Sequence, residues 1–273
     1  MSDQAIYRHT LTVRITHWVN FLCLTVLLMS GLQIFNAHPV LYIGEQSNFD
    51  HPILSVTAEE RNARLVGVTN LAGTSFTTTG VFGVSKVAGA DTPRAFPGWA
   101  TLPAGQDLAT ARRWHFLFAW FFVVNGLAYL VYGLTSGHVR QDLLPSRPAL
   151  RHIGQSLLNH VRLRFPRGQE ARQYNVVQQL TYLAVIFILL PLVVVAGLTM
   201  SPALDALFHP LTSIFGGRQS ARTVHFIGAT FIVLFVIVHV VMVIMSGVYN
   251  NMRSMITGRF RWEGRGSPWQ TRN

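Results

Sequence analysis

The sequence predicts an all-α integral membrane protein, a four-helix bundle with one long loop between its first and second helices. Three observations predict it. Only 12% of the 273 residues are charged, where a soluble domain carries about 25%. Four apolar runs, at about 15–35, 114–134, 180–200 and 223–246, are long enough to cross a bilayer, which takes roughly 20 residues. The stretch 36–113 between the first two runs is much longer than an ordinary connection.

The first run follows Arg8 and Arg14 and could pass for a signal peptide. It is of full spanning length, and no small-residue cleavage site follows Gln33-Ile34-Phe35-Asn36, so it is read as a retained first helix. The stretch 36–113 is rich in Gly, Thr, Ser and Pro and holds β-like pieces such as Leu65–Thr69. A loop of this length is usually functional or disordered, and it is read as a folded cap that docks a partner rather than as a solvated insertion. The second span begins at Trp114-His115. Between the second and third spans, Leu150, Ile153, Leu157 and Val161 recur at helical spacing among Arg and His, the pattern of an amphipathic helix lying on a membrane surface. His152 and His160 belong to that helix and are read as interfacial. Pro191 lies inside the third span, where a bundle tolerates it if neighbours satisfy the freed carbonyl. The fourth run contains no acid and no Lys.

The net charge of +11 comes almost wholly from Arg, Lys86 being the one Lys. It is read as membrane topology and not as nucleic-acid binding. Between Ser136 and Val177, Arg140, Arg147, Arg151, Arg162, Arg164, Arg167 and Arg172 stand against Asp142 and Glu170. The tail after Gly247 holds five Arg against Glu263, whereas 36–113 balances six basic residues with six acidic ones. Cytoplasmic segments carry the Lys/Arg excess. Both termini and the middle loop are therefore expected in the cytoplasm, and loop 36–113 on the other face.

Eleven histidines are present, and depth sorts them. His225 and His239 are fourteen residues apart in the fourth span. At about 100° per residue, both leave nearly the same helix face, and at about 1.5 Å per residue they are roughly 21 Å apart along the axis. His115 opens the second span at the depth of His225, and His17 lies near the start of the first span at the depth of His239. A single histidine near a span end is commonly interfacial. One deep in a span, such as His239, is rare and usually functional, and four histidines at two matched depths point to ligation. Bis-imidazole ligation from two helices holds a haem edge-on in a bundle core. The sequence has one cysteine, Cys23, and no CxxCH motif, so neither covalent haem nor an iron–sulfur cluster is expected. The expected cofactors are two haem b groups. Arg14, Arg112, Arg113 and Arg222 lie within a turn of the proposed ligands, where a guanidinium can pair with a haem propionate, although they also suit ordinary flanking charge. Gly126, Gly133, Gly197 and Gly228 permit close approach of a flat macrocycle or plain helix packing. His9, His38, His51, His138 and His209 fall in loops or at span ends and are read as ordinary residues.

At these positions the chain resembles the bacterial cytochrome b561/Ni-Fe hydrogenase b-type cytochrome family, which includes the di-haem membrane subunits of formate dehydrogenase and thiosulfate reductase. The resemblance rests on Arg14-Ile15-Thr16-His17-Trp18, on His115 and on the His225/His239 pair, and it covers all four spans. Tyr174-Asn175-Val176-Val177-Gln178 looks like the family's quinone-side segment, which makes Asn175 and Gln178 candidate quinone contacts. Phe215-Gly216-Gly217-Arg218-Gln219-Ser220-Ala221-Arg222 looks like variants associated with periplasmic molybdenum-cofactor oxidoreductases. The large first loop is a departure from the family pattern. The resemblance implies a multi-pass protein of the bacterial inner membrane that passes electrons between quinone and a periplasmic oxidoreductase partner, without acting on the final substrate itself. The rival reading is a proton or metal transporter lined by the same histidines. Transporters usually show carboxylates within their spans and inverted repeats, and neither is present. A passive membrane anchor would have no use for two histidines on one helix face.

Overall fold

The computed structural model describes residues 4–87, 89–151, 153–161, 175–201 and 209–262. His152, Tyr174, Arg162, Arg164, Arg167, Arg172, Glu170 and the tail beyond Trp262 lie outside the described residues. Four helices are long and apolar enough to span a membrane: α1 (Leu11–Ala37), α2 (Leu108–Thr135), α5 (Val176–Thr199) and α7 (Arg218–Met245). Each coincides with an expected span and extends a few residues beyond it at one or both ends. α5 begins early because Asn175 caps it. Its backbone widens to a π-turn over Val185–Leu189, just before Pro191. Proline lacks the N–H that the carbonyl four residues earlier would accept, and a π-turn is one way of absorbing that gap. Most side chains along the spans are exposed, among them Leu127, Val131, Ile237 and Val238, which suits helices solvated by lipid. The chain is a multi-pass membrane helical bundle with a long loop between its first two spans.

Contacts group the chain into two compact units, and the long helices contribute to both. The loop-bearing unit comprises Asn20–Val124 and Leu190–Phe231. Its loop is folded, as a four-stranded antiparallel sheet in the order β2 (Val40–Leu41), β3 (Leu54–Arg61), β4 (Arg64–Leu71), β5 (Thr74–Thr77). A separate two-stranded ribbon joins β6 (Val84–Val87) to β7 (Ala90–Pro93). The β3–β4 and β4–β5 hairpins turn on Asn62-Ala63 and Ala72-Gly73, all four with positive φ. That conformation suits two-residue hairpins, because its twist matches the strands. Phe35, Leu41, Val56 and Ala95 form the buried core, with Leu54, Phe96 and Phe226 packed against it.

Polar contacts hold the loop to the helices of its unit. Asn36 donates to the Phe96 carbonyl at 3.1 Å and accepts from the Phe96 N–H at 2.7 Å. The buried Arg94 guanidinium donates to Gln33 on α1, to Thr101 and to the Ala104 carbonyl. The Gly44 carbonyl accepts from the Gln219 and Ser220 N–H groups, and Glu45 accepts from the Arg218 N–H. These three donors belong to the open first turn of α7, so the loop caps the helix that carries His225.

The terminal unit comprises Met1–Val19, Asn125–Leu189 and Ile232–Asn273. Strand β1 (Gln4–Tyr7) pairs antiparallel with β8 (Arg259–Trp262). Two short helices, α3 (Arg147–Arg151) and α4 (Ile153–Val161), occupy the stretch expected to be amphipathic, with Leu150, Ile153 and Leu157 exposed. Helix α6 (His209–Ile214) belongs to the loop-bearing unit, and α8 (Val248–Thr257) follows α7 after Gly247. Trp18 Nε1 donates to the Met255 carbonyl at 3.1 Å, and Asn125 donates to the Thr16 carbonyl at 2.9 Å, joining α1 to α8 and to α2.

Candidate functional site

Each unit holds one of the two expected histidine pairs. In the loop-bearing unit the rings of His115 on α2 and His225 on α7 lie 6.2 Å apart, centroid to centroid, with planes at 65°. In the terminal unit His17 on α1 and His239 on α7 lie 6.3 Å apart, with planes at 52°. An imidazole nitrogen sits about 2 Å from a first-row metal ion. It also lies roughly 1 Å from its own ring centre, so two rings on opposite sides of one ion lie roughly 6 Å apart. Both separations match. Among the described residues, no group of three or more His, Cys, Asp or Glu side chains is placed to hold a metal. Two nitrogens cannot satisfy a metal ion alone. They suit one whose remaining positions are filled by a macrocycle, as in haem.

The loop-side pair is oriented by hydrogen bonds. His225 Nδ1 is 2.8 Å from the Val193 carbonyl of α5. A carbonyl only accepts, so Nδ1 carries the proton and Nε2 is left with its lone pair. Gly197, one turn beyond Val193, permits the approach: a Cβ there would lie 3.2 Å from His225 Cε1 and Nδ1. His115 Nδ1 is 3.0 Å from Ser30 Oγ, and a Cβ on the adjacent Gly31 would lie 3.4 Å from His115 Cε1.

The terminal pair is oriented by aromatic rings. Phe235 stacks on His239 at 5.8 Å and 24°, and Trp18 meets His17 edge-on at 5.4 Å. Among the described residues, no group hydrogen-bonds either ring. His9, just before α1, is buried in the same unit, and burial pushes it down to about 4, with smaller contributions from Arg8, His17, His138 and Arg14. His138 is bound to Asp142 at 2.6 Å, an ordinary surface pairing.

The arginines divide. Arg14, one turn before His17, donates from Nη1 to the Ile256 carbonyl at 2.6 Å, and its buried Nε has no partner among the described residues. Arg222 donates to the His38 carbonyl, lies over the Phe35 ring, and lines a cavity of about 480 Å³ with Arg218, Gln219, Met200, Glu45 and Gln46. The His38 ring is itself held low by burial and by Arg222. Arg112 is exposed with its guanidinium over Phe116, and Arg113 is exposed. Asn175 and Gln178 form a capping box: Asn175 Oδ1 accepts from the Val177 N–H, and Gln178 Oε1 accepts from the Asn175 N–H. Their side-chain oxygens therefore close the N-terminus of α5. Of the glycines expected to allow close approach, Gly197 meets the His225 ring, Gly133 faces Val139, and Gly126 has open space. Sequence reasoning did not single out Ser30, Gly31 or Phe235. A Ser-Gly step inside an apolar span was the available signal, since small and hydroxyl residues gather where spanning helices meet.

Three spanning helices contribute two pairs of histidines whose rings face each other at a spacing that would suit one metal ion between them. Residues 8–258 match the family model of prokaryotic cytochrome b561, and the chain belongs to that family. It is thus a membrane cytochrome of the haem b-binding, electron-transferring type. It is similar to a putative protein-methionine-sulfoxide reductase subunit, YedZ1, of Azospira oryzae, with 28% identity over 258 residues that cover 94% of this chain and all of that protein. No solved structure matches the chain.

Proposed function

We propose that this chain is a di-haem cytochrome b subunit that transfers electrons between the quinone pool and a periplasmic oxidoreductase of the molybdenum-cofactor type. The observation that carries the reading is the pair of matched imidazole separations, 6.2 and 6.3 Å, each formed by one histidine of α7 and one from another span. Bound haem b supplies one-electron exchange. His115 and His225 hold one group, and His17 and His239 hold the other. Arg14 and Arg222 would pair with the propionates of a bound haem, with Arg112 and Arg113 as outer contributors. The unpartnered Nε of Arg14 supports its part.

The balance of charge supports an inner-membrane orientation with cytoplasmic termini and loop 36–113 in the periplasm. The folded loop then forms the docking face for the partner. The relative described as a reductase subunit supports a partner enzyme of that kind. Quinone is expected beside Asn175 and Gln178, whose amide nitrogens remain as donors once the cap has used their oxygens. The donor set disfavours a metal transporter, because two nitrogens per site leave a bare ion under-coordinated.

A reduced-minus-oxidised visible spectrum of the purified chain, with a haem-to-protein ratio, tests the reading. A b-type signal at two haems per chain is expected. One haem or none sinks the di-haem assignment.

A further inference from the structure

We infer that Ser30 is a positioning residue for His115, helping to fix which ring nitrogen faces the metal and lowering the reduction potential at the loop-side pair alone. The inference rests on the di-haem reading. Ser30 is fully buried on α1, and its Oγ has three polar neighbours, two backbone carbonyls and the His115 ring. It donates to the Val26 carbonyl at 2.6 Å, much closer than the Leu27 carbonyl at 3.3 Å. A hydroxyl has one hydrogen. With that hydrogen on Val26, Ser30 Oγ can only accept from His115, 3.0 Å away. The Leu27 backbone carbonyl also accepts from the His115 ring and favours the same arrangement, so His115 Nδ1 carries the proton and Nε2 keeps the lone pair that a metal requires. The opposite arrangement would put the proton on Nε2 and block ligation.

The consequence reaches beyond placement. A ligand histidine that donates its other N–H becomes a more basic ligand. A more basic ligand favours the oxidised iron and lowers the potential. His225 has the same support from the Val193 carbonyl, which substitution of a side chain cannot remove. Ser30 is thus the point at which mutagenesis can reach this effect.

The experiment is a redox titration of the full chain in detergent, followed by visible absorption, with a haem-to-protein ratio for wild type, Ser30→Ala and Ser30→Thr. In Ser30→Ala one midpoint should rise and the other should stay, at an unchanged ratio of two haems. Ser30→Thr keeps a hydroxyl that can donate to the carbonyl one turn back and should return the midpoint towards wild type. If Ser30→Ala instead loses one haem, retention of both haems by Ser30→Thr supports the inference, and loss in both variants overturns it. Two haems with unmoved midpoints in Ser30→Ala also overturn it while leaving the di-haem reading intact. A wild-type chain without two haems defeats that underlying reading instead.

Discussion

The two histidine pairs have nearly the same separation and reach it by different means. Around His115 and His225 the protein supplies hydrogen bonds and glycine clearances, so the rotation of each ring and the position of its proton are set by the protein itself. Around His17 and His239 it supplies Trp18 and Phe235. A stacked or edge-on ring fixes a plane, but it does not distinguish one face of an imidazole from the other. Among the described residues, no hydrogen bond at the terminal pair fixes which ring nitrogen carries the proton. Spacing along a helix is therefore enough to place a histidine at a given depth, whereas orienting its ring takes a partner of the right chemistry.

The largest test of this contrast is removal of a ligand. His239→Ala should lose one haem and retain the other, and His225→Ala should do the same at the opposite pair, each read as a fall from two haems per chain to one. Retention of both haems by either variant would contradict the assignment of that ligand. Gly197→Ala comes next. Its Cβ would crowd His225 at 3.2 Å, and overpacking of this kind costs about 1–3 kcal/mol. Haem retention on heating should fall at the loop-side pair only, and Gly31→Ala, at 3.4 Å, should do less.

Phe235→Leu probes the terminal pair in the same way. An aromatic pair contributes about 0.5–1.5 kcal/mol beyond its buried area. The variant should broaden the low-spin resonance of one haem by electron paramagnetic resonance and leave the other sharp. The smallest effect concerns acid. His9 is lowered from 6.5 to about 4 in the folded chain. The unfolded chain takes up a proton at that site below about pH 6.5, so this contribution to stability is complete above that pH. It is lost as the pH falls towards 4. Thermal unfolding at pH 7.5 and pH 5 should show a smaller acid-induced drop in Tm for His9→Gln than for wild type. An equal drop would remove His9 from the account.

Much of the fold was legible because its signals are local. The four spans follow from hydropathy, and α5 starts earlier than expected because a polar cap of Asn175 and Gln178 extends it beyond the apolar run. Those two residues show why resemblance alone reads a site incompletely: the same amides that look like quinone contacts also close a helix. The sheet in 36–113 was visible only as a fragment at Leu65–Thr69, because strand pairing joins residues that a short window does not compare. His9 was read as an ordinary loop residue, and its burial depends on neighbours from distant parts of the chain.

The sequence by itself determined the membrane class, the four spans and the depth at which each paired histidine lies. In a spanning helix depth is residue number multiplied by a constant rise, so nothing beyond the chain's own order is needed. Only the tertiary structure decided which way each ring turns, that Ser30 and Val193 hold one pair while Trp18 and Phe235 hold the other, and that Gly31 and Gly197 make room. Those outcomes depend on how each helix is rotated about its axis against its neighbours. That rotation is set by side-chain contacts between helices far apart in sequence, which depth does not encode.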